Sequence, residues 1–131
     1  MNKKPYPYLE LHGITNQKVC QIVRSLPREL FVPDELRAAA YLDSALPIDC
    51  GQTISQPFIV AYMTEKLELK PTDKVLEIGT GSGFQAAVLA QLAQEVYTIE
   101  IYPELSERAC QILTRLGLNK IKYRVGDGKE G

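Results

Sequence analysis

The chain has 131 residues, of which 45% are hydrophobic and 24% are charged, so it is long enough to form one domain with its own core. A formal net charge of −1 gives no electrostatic basis for binding nucleic acid or an anionic membrane, and every apolar run is far too short to span a bilayer. No apolar segment follows the N-terminal lysines, and the cysteines are far apart in the sequence (Cys20, Cys50 and Cys110). We therefore expect no signal peptide, no metal site and no disulfide, but reduced thiols in a cytoplasmic protein.

The first half of the chain is predicted to be mostly helical. Residues 1–13 contain two prolines and a glycine and are expected to be irregular. Apolar residues at helical spacing predict a helix over about Thr15–Leu26, and Pro33 followed by two acidic residues predicts the start of a second, short helix. Residues 42–56 then form a long connection, and a loop of this length in a compact domain is more often functional than idle.

A third helix is predicted to begin at Pro57, because proline suits the first turn of a helix. Ser55 is expected to cap the N-terminus of this helix. Ile59, Met63 and Leu67 recur every four residues and predict an apolar stripe along it.

The second half follows the order strand, helix, strand, helix, strand. The predicted strands are Lys74–Ile78, Val96–Glu100 and about Lys120–Val125, and the helices between them cover about Gly83–Gln94 and the segment from Pro103 to a C-cap at Gly117. Right-handed crossovers place the strands in parallel in the order 3-2-1. We therefore expect an α/β fold with a Rossmann-like parallel sheet, which is half of a doubly wound sheet, and an N-terminal helical segment. The first strand would be central in a complete sheet, yet no further segment of this sequence pairs with its second edge.

Between the first strand and its helix lies the glycine-rich turn Gly79–Gly83, which reads Gly-x-Gly-x-Gly. Such a turn at a helix N-terminus presents backbone amides to a ligand. A dinucleotide fingerprint would have its third glycine one position later, where this chain has Phe84. By itself the turn is a weak signal, and a purely structural strand-to-helix turn stays open as an alternative.

Three acidic residues make the interpretation of this turn more specific. Glu77 lies within the first strand, where a carboxylate is costly unless it organises the loop or accepts from a cationic amine. Glu100 ends the second strand, where an acidic side chain can accept both ribose hydroxyls, and Asp127 follows the third strand, where a carboxylate can accept from an exocyclic amine. A nucleoside with a cationic tail and no phosphate suits three acidic groups better than a pyrophosphate does. The pattern therefore favours S-adenosylmethionine over NAD.

The first strand and its turn, Val75–Gly83, resemble the first motif of class I S-adenosylmethionine-dependent methyltransferases. A narrower resemblance, to the protein-L-isoaspartate O-methyltransferase family, covers nearly the whole chain. It rests on five further segments, which are Leu26–Pro33, Ala40–Asp43, Leu46–Ile48, Gly51–Pro57 and Gly126–Gly128. The Gln-Thr-Ile-Ser-Gln-Pro sequence in the fourth of these is the most specific, because generic methyltransferases lack it.

The resemblance implies a reaction that repairs aged proteins. The α-carboxylate of an L-isoaspartyl residue is methylated by S-adenosylmethionine, and the ester then collapses to a succinimide that can reopen to aspartate. The implied partners are isoaspartyl-containing peptides and proteins. By the same resemblance Ser55 is the active-site serine, and Gln52, Thr53 and Ile54 join it in binding the substrate. The implied cofactor residues are Glu77, Gly79, Thr80, Gly81, Glu100, Asp127 and Gly128.

The chemistry of this reaction requires no general base. A carboxylate is already ionised at neutral pH, and a sulfonium is an activated leaving group, so catalysis consists mainly of in-line alignment with water excluded. The single histidine, His12, lies in the N-terminal stretch, which agrees with a mechanism that needs none. Ser55 is therefore interpreted as a hydrogen-bond donor that orients the carboxylate. A helix-cap role for Ser55 is an alternative that is compatible with this one.

We expect one structural domain, in which residues 1–56 contribute to the substrate site and residues 57–131 form the S-adenosylmethionine-binding half. Members of the family continue with strands and helices that this sequence lacks. Three interpretations stay open: a fragment of a full enzyme, a shortened homologue that binds cofactor without catalysis, and a chain that self-associates through the exposed edge of the first strand. In terms of function, the choice is between a methyltransferase and a non-catalytic binding or interaction module.

Overall fold

A computed structural model describes residues 5–130 of the chain. Within this range the order of elements is α1 (Tyr8–Leu11), α2 (Gln17–Ser25), β1 (Leu46–Pro47), β2 (Thr53–Ile54), α3 (Pro57–Leu67), β3 (Lys74–Ile78), α4 (Phe84–Ala90), β4 (Glu95–Glu100), α5 (Pro103–Arg115) and β5 (Ile121–Val125). Short 3-10 helices occupy Arg28–Phe31, Asp34–Ala39, Asp49–Gly51 and Gly128–Glu130. None of the helices in residues 5–130 is long and apolar enough to cross a membrane.

Strands β3, β4 and β5 form a parallel sheet with β4 in the centre. This arrangement confirms the predicted α/β class and the predicted 3-2-1 order. β3 has the predicted bounds, β4 begins one residue earlier at Glu95, and β5 begins one residue later at Ile121. Within the described range β3 pairs only with β4, so its second edge has no strand beside it there.

The two faces of the sheet have different surroundings. Val75, Val96 and Ile121 are aligned in the register on one face, and α4 and α5 pack against β4 and β5. Val96 is fully buried at the centre of this face. Because successive side chains of a strand point to opposite faces, Leu76 and Ile78 lie on the other side, where both are more than half exposed. Helices therefore cover one face of the sheet, and on the other face the apolar side chains of β3 stay exposed.

The N-terminal half packs onto this helical layer through α2 and α3, which both contact α4. One continuous apolar core extends from Tyr6 to Ile121. The helix predicted over Thr15–Leu26 is confirmed as α2. The short helix predicted at Pro33 is present as a 3-10 helix, whereas the prediction of irregular structure over residues 1–13, of which 1–4 lie outside the described range, is wrong at the helical turn α1. Both segments are too short for apolar periodicity to distinguish a helix from an irregular segment, or an α-helix from a 3-10 helix. Packing against the core decides their conformation.

The long connection over residues 42–56 contains an antiparallel hairpin in which β1 and β2 form two residue pairs. The tip of the hairpin, Asp49–Gly51, lies near α5, where Arg108 forms an ion pair with Asp49 at 3.8 Å. The segment that sequence reasoning singled out is therefore ordered, and its second strand leads directly into α3.

The prediction that Ser55 caps the third helix is wrong. Gln56 is the N-cap residue of α3, and its side chain makes no capping hydrogen bond. Instead, the Phe58 N–H donates to Asp43 Oδ1 at 3.2 Å, across 15 residues of sequence. A capping group that distant cannot be recognised from a local pattern.

Helix α3 also buries a different face from the one its apolar stripe suggested. The side chains of Ile59, Met63 and Leu67 are 37%, 58% and 54% exposed, respectively. The buried residues of the helix are Pro57, Val60, Ala61 and Thr64. The stripe instead borders the open edge of β3, where Met63 and Leu67 line a cavity.

Candidate functional site

A cavity of about 410 Å³ lies between α3, β3 and the glycine-rich turn, and this volume is typical of a small-molecule site. The predicted site residues that line it are Thr53 and Ile54 from β2, Ser55 directly after it, Glu77 from β3, and Gly79, Thr80 and Gly81 from the turn. Apolar side chains of α3 and β3 form much of the remaining wall. The structure therefore brings the predicted substrate segment and the predicted cofactor turn to one space.

The glycine-rich turn is held by hydrogen bonds within the protein. Gly79, Gly81 and Gly83 have φ angles of 94°, 55° and 91°, a region in which only glycine is unstrained. The Gly79 N–H donates to the Ile99 carbonyl at 2.8 Å, and the Gly83 N–H donates to the Thr80 carbonyl at 2.9 Å. Since these amides already have partners, the turn lacks the open amide cradle that binds phosphate in dinucleotide sites.

Glu77 is joined to the turn through two hydroxyl groups. The Thr98 hydroxyl donates to Glu77 Oε1 at 2.7 Å, and the Thr80 and Thr98 hydroxyl oxygens are 2.6 Å apart. A hydroxyl has one proton to donate, so Thr80 is the donor to Thr98. Burial raises the pKa of Glu77 from its ordinary value of 4.5 to about 7, against the opposing effect of the Thr98 hydrogen bond and with a further increase from the charge of Glu100. The hydrogen bonds from Glu77 through Thr98 to Thr80 connect the carboxyl group to the turn, as an organising role for Glu77 would require.

Glu100 is 5% exposed, and both of its carboxylate oxygens have backbone partners. Oε1 accepts from the Gly81 N–H at 2.8 Å, and Oε2 accepts from the Tyr102 N–H at 3.1 Å. A carboxylate offers about four lone-pair positions, so each oxygen keeps one for a ligand hydroxyl. Ribose binding by Glu100 stays a prediction, and the structure adds that Glu100 holds the turn against the end of β4.

Like Glu100, the remaining predicted residues lie outside the lining of the cavity. Asp127 is exposed and accepts from a backbone N–H two residues later at 2.9 Å. Gly128 packs so closely on Ile78 that a side chain at this position would overlap it. Gln52 is exposed, and its Nε2 donates to the Cys50 carbonyl at 3.2 Å. The segment after β5 therefore reaches the end of β3, and the ligand contacts of these residues stay predictions.

Ser55 is exposed and lines the cavity. Its hydroxyl has no hydrogen-bond partner within residues 5–130, whereas its carbonyl accepts from Arg28 Nη2 at 3.2 Å. Because Ser55 does not cap α3, its hydroxyl has no structural task there and can donate to a ligand.

Sequence reasoning missed two charged residues beside the site. Arg28 is fully buried, and its guanidinium donates to the carbonyls of Ala40, Leu42, Ser44 and Ser55. Burial lowers the pKa of this guanidinium. Asp43 accepts from the Gln56 side-chain amide at 3.3 Å and from the Phe58 N–H. Arg28 lies within the Leu26–Pro33 segment that carries the resemblance, but nothing in its local pattern distinguishes a buried arginine from a solvent-exposed one.

A parallel sheet whose first strand enters a glycine-rich turn, with an acidic residue ending the next strand, has the fold of the class I methyltransferases. Comparison with known proteins narrows this class. The family model for protein-L-isoaspartate(D-aspartate) O-methyltransferase matches residues 2–131. The chain belongs to the protein-L-isoaspartate O-methyltransferase family.

Individual relatives agree with this assignment. The chain is 54% identical to a protein-L-isoaspartate O-methyltransferase of Dictyoglomus turgidum (strain DSM 6724 / Z-1310), over 94% of this chain and 56% of that protein. It is 51% identical to the enzyme of the same name from Myxococcus xanthus (strain DK1622), over 95% of this chain and 58% of that protein. The chain thus spans somewhat more than half the length of these two relatives.

Solved structures share the fold. One protein-L-isoaspartate O-methyltransferase matches with a TM-score of 0.78 and 28% identity, over 92% of this chain and 40% of that one. A Plasmodium falciparum protein assigned the same activity matches with a TM-score of 0.72 and 21% identity, over 93% of this chain and 62% of that one. The Plasmodium protein was solved in complex with S-adenosyl-L-homocysteine.

Proposed function

We propose that this chain binds S-adenosylmethionine and aligns it with the α-carboxylate of an L-isoaspartyl residue, as part of a protein-L-isoaspartate O-methyltransferase. The observation that carries the proposal is the shared cavity, which Thr53–Ser55 and the turn Gly79–Gly81 line together. The names of the relatives and the S-adenosyl-L-homocysteine in the Plasmodium protein support it.

The residues at the cavity fit a cofactor of this kind. S-adenosylmethionine carries a positive charge and no phosphate, and the amides of Gly79, Gly81 and Gly83 have internal partners where a phosphate site would leave them open. Glu77 lines the cavity, and Glu100, which lies outside its lining, holds the turn and keeps a lone pair on each oxygen for a hydroxyl. A site with these groups accommodates a cationic nucleoside.

The residues of this chain would contribute mainly alignment. When bound, S-adenosylmethionine supplies a methyl group on an activated sulfonium. The Ser55 hydroxyl would donate to one oxygen of the substrate carboxylate and so orient the other oxygen toward the methyl group. Apolar side chains of α3 and β3, including Met63 and Leu67, would exclude water from the space between them. A carboxylate nucleophile is ionised at neutral pH, so no residue has to remove a proton.

A second candidate function, a non-catalytic cofactor-binding or interaction module of the same family, is favoured by the open edge of β3. Leu76 and Ile78 on this strand are 58% and 66% exposed, and an unpaired strand with exposed apolar side chains pairs readily with another chain. We propose self-association through this edge. We also propose a cytoplasmic location, which is supported by cysteines that form no disulfide.

Calorimetric titration with S-adenosyl-L-homocysteine tests the cofactor proposal. We expect the native chain to bind it and Asp127→Ala to bind it about tenfold more weakly, since a hydrogen bond to a charged group is lost. Asp34→Ala removes a carboxylate whose side chain is 85% exposed and serves as the matched control. Absence of binding by the native chain would refute the cofactor proposal.

Transfer of a labelled methyl group to an isoaspartyl peptide separates the two candidate functions. An active enzyme transfers the label to the isoaspartyl peptide and not to the same peptide with a normal aspartyl residue, whereas a binding module transfers it to neither. Light scattering tests self-association, and a chain that stays monomeric at every concentration would contradict pairing through β3.

A further inference from the structure

The hairpin that carries Thr53 and Ile54 to the cavity is too short to hold its own shape. β1 and β2 share two residue pairs, and an isolated two-stranded hairpin is only marginally stable in water even when it is longer. The contacts that fix this wall of the cavity must therefore come from outside the hairpin.

The Arg28 guanidinium lies at the base of the hairpin. Its Nη2 donates to the Ser44 carbonyl at 2.9 Å and to the Ser55 carbonyl at 3.2 Å. Ser44 precedes β1 and Ser55 follows β2, so one nitrogen joins the two ends of the hairpin. A guanidinium presents its donors in a rigid planar fork, which fixes the separation of the groups that it binds. Arg28 itself is fully buried and does not line the cavity.

Asp43 holds the end of the segment that leads into α3. Its Oδ2 accepts from Gln56 Nε2 at 3.3 Å, and its Oδ1 accepts from the Phe58 N–H at 3.2 Å. The Phe58 N–H lies in the first turn of α3, where backbone N–H groups have no partner within the helix. Asp43 therefore supplies the cap that Gln56 does not, and it fixes the direction in which the chain enters the helix.

We propose that Arg28 and Asp43 are positioning residues, which hold Thr53–Gln56 as one wall of the cavity and thereby present the Ser55 hydroxyl to the substrate carboxylate. The presentation of Ser55 to a carboxylate rests on the proposed function. The role of Arg28 and Asp43 in holding the segment does not rest on the proposed function, because it follows from hydrogen bonds within the chain.

Amide hydrogen exchange of the whole chain tests the holding role without any ligand. Asp43→Ala is expected to speed exchange of the Phe58 amide about fivefold, which corresponds to the loss of a helix cap. Arg28→Lys keeps the positive charge but replaces the planar guanidinium with a single ammonium group, which cannot hold the same set of carbonyls. Amide exchange should therefore also accelerate over residues 44–58. Exchange in the glycine-rich turn should stay within about twofold of the native rate. The matched controls are Asp34→Ala and Arg37→Lys, which change a surface ion pair.

Unchanged exchange of the Phe58 amide, or acceleration of equal size throughout the chain, would overturn the holding role. Peptide binding then tests the presentation of Ser55. Asp43→Ala should weaken binding of an isoaspartyl peptide about tenfold and leave S-adenosyl-L-homocysteine binding within about twofold of native. Equal losses for both ligands would overturn the presentation role. Failure of the native chain to bind either ligand would refute the proposed function, and the exchange comparison would still decide whether Arg28 and Asp43 hold the segment.

Discussion

Replacement of Glu77 by glutamine should change the pH dependence of stability in a defined direction. Burial keeps the proton on Glu77 in the folded chain up to a pKa of about 7, whereas the unfolded chain loses it near the ordinary value of 4.5. Between these values the folded state binds more protons, so the contribution of Glu77 to stability falls as the pH rises and is constant below 4.5 and above 7. At about 1.4 kcal/mol per pKa unit, the loss is at most about 3 kcal/mol, because the half-buried carboxyl keeps part of its hydration.

Urea unfolding of the native chain and of Glu77→Gln between pH 4.5 and 8.5 measures this contribution. Glutamine does not titrate, so the free energy of unfolding of the variant minus that of the native chain should rise with pH, mostly between pH 5 and 7. A constant offset from the altered hydrogen bond to Thr98 does not affect this slope. Glu107→Gln, an exposed change on α5, serves as the control. A difference that is flat across the range, or that falls with pH, would refute the assignment of a raised pKa to Glu77.

Three further substitutions probe the turn and the cavity wall. Thr98→Val leaves the Thr80 hydroxyl without its acceptor and should lower the free energy of unfolding by about 1–3 kcal/mol in urea titrations. Gly83→Ala places a Cβ 3.0 Å from the Ala109 Cβ at a φ of 91° and should cost about 2–4 kcal/mol in the same assay. Ser55→Ala should leave the free energy of unfolding within about 0.5 kcal/mol of native, because Ser55 is not a cap, while methyl transfer to an isoaspartyl peptide falls.

Matched variants give each of these results a reference. Thr72→Val makes the same chemical change at an exposed turn position and should be nearly neutral. Gly117→Ala has a similar positive φ of 78° but meets no atom within 4 Å, so its smaller cost isolates the close approach at Gly83. A destabilisation of about 1 kcal/mol by Ser55→Ala would instead indicate a capping role. Equal costs at Gly83 and Gly117 would show that contact with α5 is unimportant.

Features that depend on neighbours in the sequence could be predicted without the structure. The bounds of β3 at Lys74–Ile78 are as predicted, since apolar patterning bounded by turn residues specifies a strand locally. Gly117, predicted to end the last helix, directly follows the C-cap residue of α5 with a positive φ. Gly79–Gly83 marked the turn because positive φ angles need glycine, and this requirement is visible in the residue type alone.

The sequence by itself determined the class of fold, the parallel strand order and the glycine-rich turn, because helical and strand periodicity and backbone conformational limits act over a few residues. Only the tertiary structure decided how the site is held. Arg28 reaches the Ser55 carbonyl across 27 residues of sequence, and Asp43 caps α3 across 15. The raised pKa of Glu77 likewise results from burial in the folded chain, which outweighs the opposing effect of a hydroxyl 21 residues away. Hydrogen bonding and desolvation act through space, so their partners are set only once the chain has folded.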